Sequence, residues 1–164
     1  MTVSRKYAQL TINAPYPAGG KCPQALGDTM NILEHSSSAI KATLNKDEWF
    51  GIYGCIRETS DKLKSPDILD QTGVNRAYLD SIVDYFGEVK DQGNTDTRCQ
   101  SPTLTLVKIN EEEYHLTLSR EDAKLIGQCL EIALRVVPNW EFHILLGVYP
   151  SEVKDLLEQF HKIL

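Results

Sequence analysis

The side chains best able to do chemistry in this chain are acidic, and their spacing is regular. Asp80, Asp84, Glu88 and Asp91 follow one another at intervals of four, four and three, which on an α-helix places all four on one exposed ridge. Glu111, Glu112 and Glu113 are contiguous. Nothing in the surrounding sequence holds those three carboxylates convergent, so they read as a solvated tip rather than a metal or acid–base site. Both groups suit contact with a basic surface, and all seven residues are candidate partner-binding positions.

Other chemistries are not encoded locally. His35, His115, His143 and His161 never form His-x-x-x-His or His-Glu-x-x-His, so no helix-borne zinc site is expected. Cys22, Cys55, Cys99 and Cys129 lie 30 to 44 residues apart, which excludes Cys-x-x-Cys; Cys55 and Cys129 fall on or near apolar stripes and read as small buried hydrophobes. Gly19-Gly20-Lys21 lacks the upstream glycine and the Ser or Thr of a phosphate-binding loop, and no Gly-x-Ser-x-Gly occurs. One pairing stays open beside a purely structural histidine: His143 with Cys129 or Glu131 on the preceding helix. The sequence assigns no catalytic residue, metal or cofactor.

Charge narrows the partners. With 23 acidic against 17 basic residues the net charge is −6, so the average field repels nucleic-acid phosphates and permits a basic protein. The stretch Phe142–Phe160 has the rhythm of a helix-turn-helix, but its second helix offers Glu152, Asp155 and Glu158 against Lys154 and Lys162, with no arginine for guanine edges. It reads as a packing hairpin. No run approaches the roughly 18 apolar residues of a membrane span. Met1–Leu10 lacks the apolar core of a signal peptide. The expected location is the cytosol, with no membrane contact.

The elements that must carry these residues follow from periodicity. Residues 7–12 alternate as a short strand, or form a tethered tail, and Pro15, Pro17, Gly19, Gly20 and Pro23 interrupt regular structure. Leu26, Met30, Leu33, Ser37, Ile40 and Leu44 recur at threes and fours and predict a helix from about Pro23 to Leu44, weakened by Ser36-Ser37-Ser38. Asn45 is a cap candidate for a second helix carrying Trp49, Tyr53, Ile56, Ser60 and Leu63, in which Gly51 and Gly54 either soften the helix or admit a close neighbour. Lys64-Ser65-Pro66 stops it. A third helix from near Asn75 turns Tyr78, Leu79, Ile82, Tyr85, Phe86 and Val89 inward and the acidic ridge outward. Residues 91–102 are polar and mark a candidate seam, within one domain spanning 1–164, between a helical half and an α+β half.

The last third is the most strongly patterned. Leu104 and Leu106, then Tyr114, Leu116 and Leu118, alternate with polar residues, so Asn110–Glu113 is the tip of an antiparallel hairpin. Ser119 with Asp122 caps a helix whose stripe is Leu125, Ile126, Cys129, Leu130, Ala133, Val136 and Val137, ended by Pro138. Trp140, Phe142, Leu145 and Leu146 suit a short helix stopped by Gly147, and Pro150 opens the last helix, with Val153, Leu156, Leu157, Phe160 and Leu164 as its stripe. The predicted class is α+β, mostly helical: N-terminal helices, a β-hairpin, an amphipathic helix and a C-terminal helical hairpin.

Leu118-Ser119-Arg120-Glu121-Asp122, Leu130-Glu131-Ile132-Ala133-Leu134, Trp140-Glu141-Phe142-His143, Leu146-Gly147-Val148 and Ser151-Glu152-Val153 with Leu156-Leu157 resemble the C-terminal part of bacterial toxin-immunity proteins, including some of contact-dependent growth inhibition systems. The resemblance implies a chain that binds and neutralises a cognate toxin domain, and it carries no contact residues across. Joined to the acidic ridge, it makes a basic toxin, such as a nuclease, the expected partner. Two alternatives stand beside it: a small cytosolic adaptor or regulatory domain whose last helical pair docks a host protein, and an enzyme with a diffuse acid or cysteine site.

Overall fold

The structure is a computed structural model and describes residues 30–36, 38–92, 101 and 103–164. The expected strand at 7–12, the interrupted stretch after it, and Cys22 and Cys99 lie outside the described residues. So does most of the segment read as a seam.

The class is α+β and mostly helical, with one correction. No helix occupies residues 31–44; they form a hairpin of β1 (Asn31–His35) and β2 (Ile40–Asn45). Residues four apart share a face in a helix and also in a strand, so Ile40 and Leu44 satisfy both periods. Ala42 between them decides the matter: Ile40, Ala42 and Leu44 are buried while Lys41 and Asn45 are exposed. Leu33, expected inward, is 56% exposed. Ser36 and Ser38 belong to the turn rather than to a weak point in a helix. The Ser36 hydroxyl donates to the Ala39 carbonyl at 3.0 Å and accepts from the Ala39 N–H at 3.1 Å.

Asn45 then caps α1 (Lys46–Lys62), accepting from the Glu48 N–H at 2.9 Å, while the Glu48 carboxylate accepts from the Asn45 N–H at 2.8 Å. Lys64-Ser65-Pro66 ends α1 as expected and also opens a short helix, α2 (Ser65–Thr72), that periodicity did not show. α3 (Arg76–Gln92), β3 (Thr105–Lys108), β4 (Glu113–Leu118), α4 (Arg120–Val136), α5 (Asn139–Leu146) and α6 (Pro150–Ile163) complete the order. Gly147 ends α5 at φ 73°, a left-handed conformation that disfavours other residues.

The strands pair antiparallel in the order β1-β2-β4-β3. Ile40, Ala42, Leu44, Leu106, Tyr114, Leu116 and Leu118 fill the face against which α1, α3 and α4 pack, while Lys41 and Thr105 on the other face are exposed. β3 is an edge strand, and α3 covers it. The buried Tyr85 hydroxyl accepts from the Leu106 N–H at 2.9 Å and donates to the Leu106 carbonyl at 3.3 Å. One contiguous core joins residues from β2, α1, α3, the second hairpin and α4–α6.

α1 lies at the centre, against α3 and α4 and under α5 and α6. Gly51 and Gly54 admit close neighbours. A Cβ on Gly51 would lie 3.3 Å from Leu156 Cδ1, and one on Gly54 would lie 3.1 Å from Leu146 Cγ and 3.3 Å from Leu146 Cα. A second fastening is Asp122, whose buried carboxylate accepts from Thr103 Oγ1 at 2.6 Å, Ser119 Oγ at 2.8 Å, Ser101 Oγ at 3.0 Å, the Ser119 N–H at 3.2 Å and Tyr78 Oη at 3.3 Å. Burial pushes its pKa up; the hydrogen bonds from Thr103, Ser119 and Ser101 outweigh this and hold it below the usual aspartate value.

Two outcomes are expected. Gly54→Val should cost about 2–3 kcal/mol, because its Cβ alone would meet the Leu146 backbone at 3.3 Å and its methyl groups would press further; chemical denaturation would measure it, and unchanged stability would refute the tight α1–α5 seam. Asp122, with its pKa lowered from 3.8 on folding, stabilises the fold above about pH 4, and that contribution disappears as pH falls through the folded value. Asp122→Asn should therefore be less stable than the parent by about 2 kcal/mol at pH 7, with the two curves converging below about pH 4.

Candidate functional site

Three of the four ridge acids line one groove. α3 buries Leu79, Ile82, Phe86 and Val89, which leaves the opposite side of the helix outward. There Asp84, Glu88 and Asp91 meet Tyr53, Val83 and Gly87 around a shallow groove of about 310 Å³. Asp80 stands apart from it. Its carboxylate accepts from the Ser60 hydroxyl of α1, beside Arg76, whose guanidinium donates to the Ser60 carbonyl at 2.7 Å and to the Leu63 carbonyl. Asp80 and Arg76 thus fasten α3 to the end of α1, where Arg76 supplies the donors that the last carbonyls of a helix need.

Tyr53 is placed by an aromatic stack. Its ring lies 5.5 Å from Trp49 and nearly parallel to it, and Trp49 stacks in turn on Tyr114 of β4 at 4.9 Å. Phe50 meets Trp49 edge-on at 4.7 Å. Trp49 is fully buried, and its indole N–H makes no hydrogen bond among the described residues. Among the described residues, ring packing holds it in place.

The hairpin tip divides its three glutamates. Glu111 pairs with Lys108 at 2.9 Å, and that hydrogen bond lowers the glutamate's pKa and raises the lysine's. Glu113 pairs with His115 at 3.1 Å. Glu112, held by its N–H donating to Asn110 Oδ1 at 2.9 Å, joins Glu113 in lining a second, larger hollow of about 750 Å³ that Glu48, Asn31, Asn45 and Asn110 also border. Burial raises the Glu48 pKa against the opposing donors at Asn45 and Met30. Sequence reasoning named Asn45 as a cap and passed over Glu48, whose place in this hollow depends on strand β1, which the helical reading of 23–44 concealed.

Both hollows present carboxylates, and the larger one adds asparagine side chains; such oxygens suit lysine and arginine side chains. Among the described residues, no three histidine, cysteine or acidic side chains converge to hold a metal ion. Cys55 and Cys129 are in the core, where burial pushes both thiols up, Cys129 to about 12. The Thr59 hydroxyl bonds the carbonyls of both cysteines, at 2.8 and 3.3 Å. His143 is exposed and stacks on Tyr149 at 4.6 Å, and Glu131 pairs with His161 at 3.2 Å instead.

Asp80 and Asp84 should separate cleanly in mutagenesis. Asp80→Ala should lower stability by about 1 kcal/mol through the lost Ser60 bond, while Asp84→Ala should stay within about 0.5 kcal/mol of the parent; equal effects in urea melts would contradict the division of the ridge. No protein-family model, curated protein or solved structure matches this chain.

Proposed function

We propose that this chain is a cytosolic immunity-type protein that binds one cognate toxin domain and neutralises it by covering its active site or substrate cleft, without chemistry of its own. The observation that carries the reading is the groove of Asp84, Glu88 and Asp91 around a fixed tyrosine. A nuclease cleft must be basic to hold phosphates, so a rigid row of carboxylates imitates the substrate's charge and speeds encounter. Tyr53 adds an amphipathic ring that the core holds in place. The resemblance of residues 104–164 to immunity proteins supports the same reading. No described helix is long and apolar enough to cross a membrane.

The adaptor reading keeps one observation in its favour: the last helical pair exposes Trp140 and Ile144. Co-expression with the product of the neighbouring gene separates the two. Under the immunity reading that product is toxic alone, forms a one-to-one complex with this chain and loses its toxicity in it. Asp84→Lys with Glu88→Lys should then slow association at least tenfold at low salt, and the difference should shrink as salt is added. A neighbouring product that neither harms the cell nor binds would remove the reading; full-speed association by the double variant would remove the groove from it.

A further inference from the structure

α5 is apolar on both sides. Phe142 and Leu146 are buried against the body of the protein, yet Trp140 and Ile144, on the outward side, are 70% and 75% exposed. His143 lies on the same outward side and carries Tyr149, itself 53% exposed, stacked on its ring. Positions 140, 143 and 144 share one helical stripe. A helix apolar all round is ordinarily buried, and tryptophan is among the residues enriched at the anchors of binding surfaces.

Charge and continuity identify what covers it. From Val136 to Val153 there is no lysine or arginine, and the charged residues are Glu141 and Glu152. The cation nearest in contact, Arg57, donates to the Leu145 carbonyl at 2.8 Å and is paired with Glu58 at 3.1 Å. Arg57 also lies 5.8 Å from the centre of the Tyr53 ring, and Tyr53 lines the acidic groove. One surface therefore runs from Asp84 and Glu88 across Tyr53 and Arg57 to α5. A second copy of this chain would bring acidic surface against acidic surface at a net charge of −6. A basic protein would not.

We infer that the outward face of α5, centred on Trp140 and Ile144, is the apolar anchor of the toxin contact, seated in a hydrophobic pocket beside the toxin's basic cleft. This rests on the immunity reading and assigns the two parts of the surface different work. The carboxylates govern the association rate, because their attraction acts across water. The α5 anchor governs the lifetime of the complex, because it acts only after water has left the contact.

The test measures binding of the purified neighbouring-gene product to the full chain and to Trp140→Ala and Ile144→Asn. Each variant should raise the dissociation constant on the order of 30-fold or more, chiefly through faster dissociation, with the association rate changed by less than threefold. Melting temperatures of the isolated variants should match the parent, since both side chains face solvent. Binding of the parent with unchanged affinity in both variants overturns the anchor and leaves the immunity reading standing. No binding by the parent overturns that reading and the anchor with it. A marked drop in the isolated variants' melting temperature would place the face against another part of this chain, and a parental dimer dissolved by Trp140→Ala would place it against a second copy; either result overturns the proposal.

Discussion

A helix packed on several sides has little surface left for polar residues and little room for side chains. α1 meets that constraint by presenting Trp49, Ile52, Cys55 and Ile56 to the core and glycine where α5 and α6 come closest. Van der Waals attraction falls steeply with distance, so a close seam is worth more than the contact area alone implies. The same closeness makes the geometry of α5 follow that of α1. Leu146 lies against Gly54, and the left-handed Gly147 turns the chain immediately afterwards so that α6 can return. The exposed stripe of α5 is the reverse side of that packing.

The sheet depends on α3 in a comparable way. An edge strand leaves backbone groups unpaired, and a buried unpaired group is costly. Here one tyrosine hydroxyl supplies both a donor and an acceptor to Leu106. Asp122 performs the reciprocal service at the other end of α3, collecting hydroxyl donors from residues 78, 101, 103 and 119 around one carboxylate. Side chains on α3 and α4 thus make polar contacts where hydrophobic pressure alone would leave the register loose.

The outward surface inherits its organisation from this interior. Tyr53 faces the acidic groove because Trp49 and Tyr114 stack behind it, and Asp84, Glu88 and Asp91 face outward because Leu79, Ile82, Phe86 and Val89 cannot. Asp80 belongs to the same sequence periodicity but meets the end of α1, where Ser60 takes it into a structural bond. Periodicity decides which side of a helix a residue occupies. It does not decide where along that side a neighbouring element ends.

Local chemistry was enough for much of the fold. The caps at Asn45 and Ser119, the stop at Pro138 and the stripes of α1, α3 and α4 follow from interactions within four residues, the second hairpin follows from alternation on either side of a short polar tip, and the structure contains all of them. The first hairpin was not legible, since Ile40 and Leu44 fit helix and strand alike, and pairing with β1 and with β4, which begins some seventy residues onward, selects the strand. For the same reason Glu48 was passed over as part of a hollow. The direction of Trp140 was likewise undetermined: α5 offers apolar residues on every side, and the approach of Leu146 to Gly54 decides which of them are buried. The sequence by itself determined the elements whose periods are unambiguous and the acidic character of the surface; tertiary packing decided which carboxylates share a groove and which aromatic residues remain outside, because those outcomes depend on contacts between residues far apart in the chain.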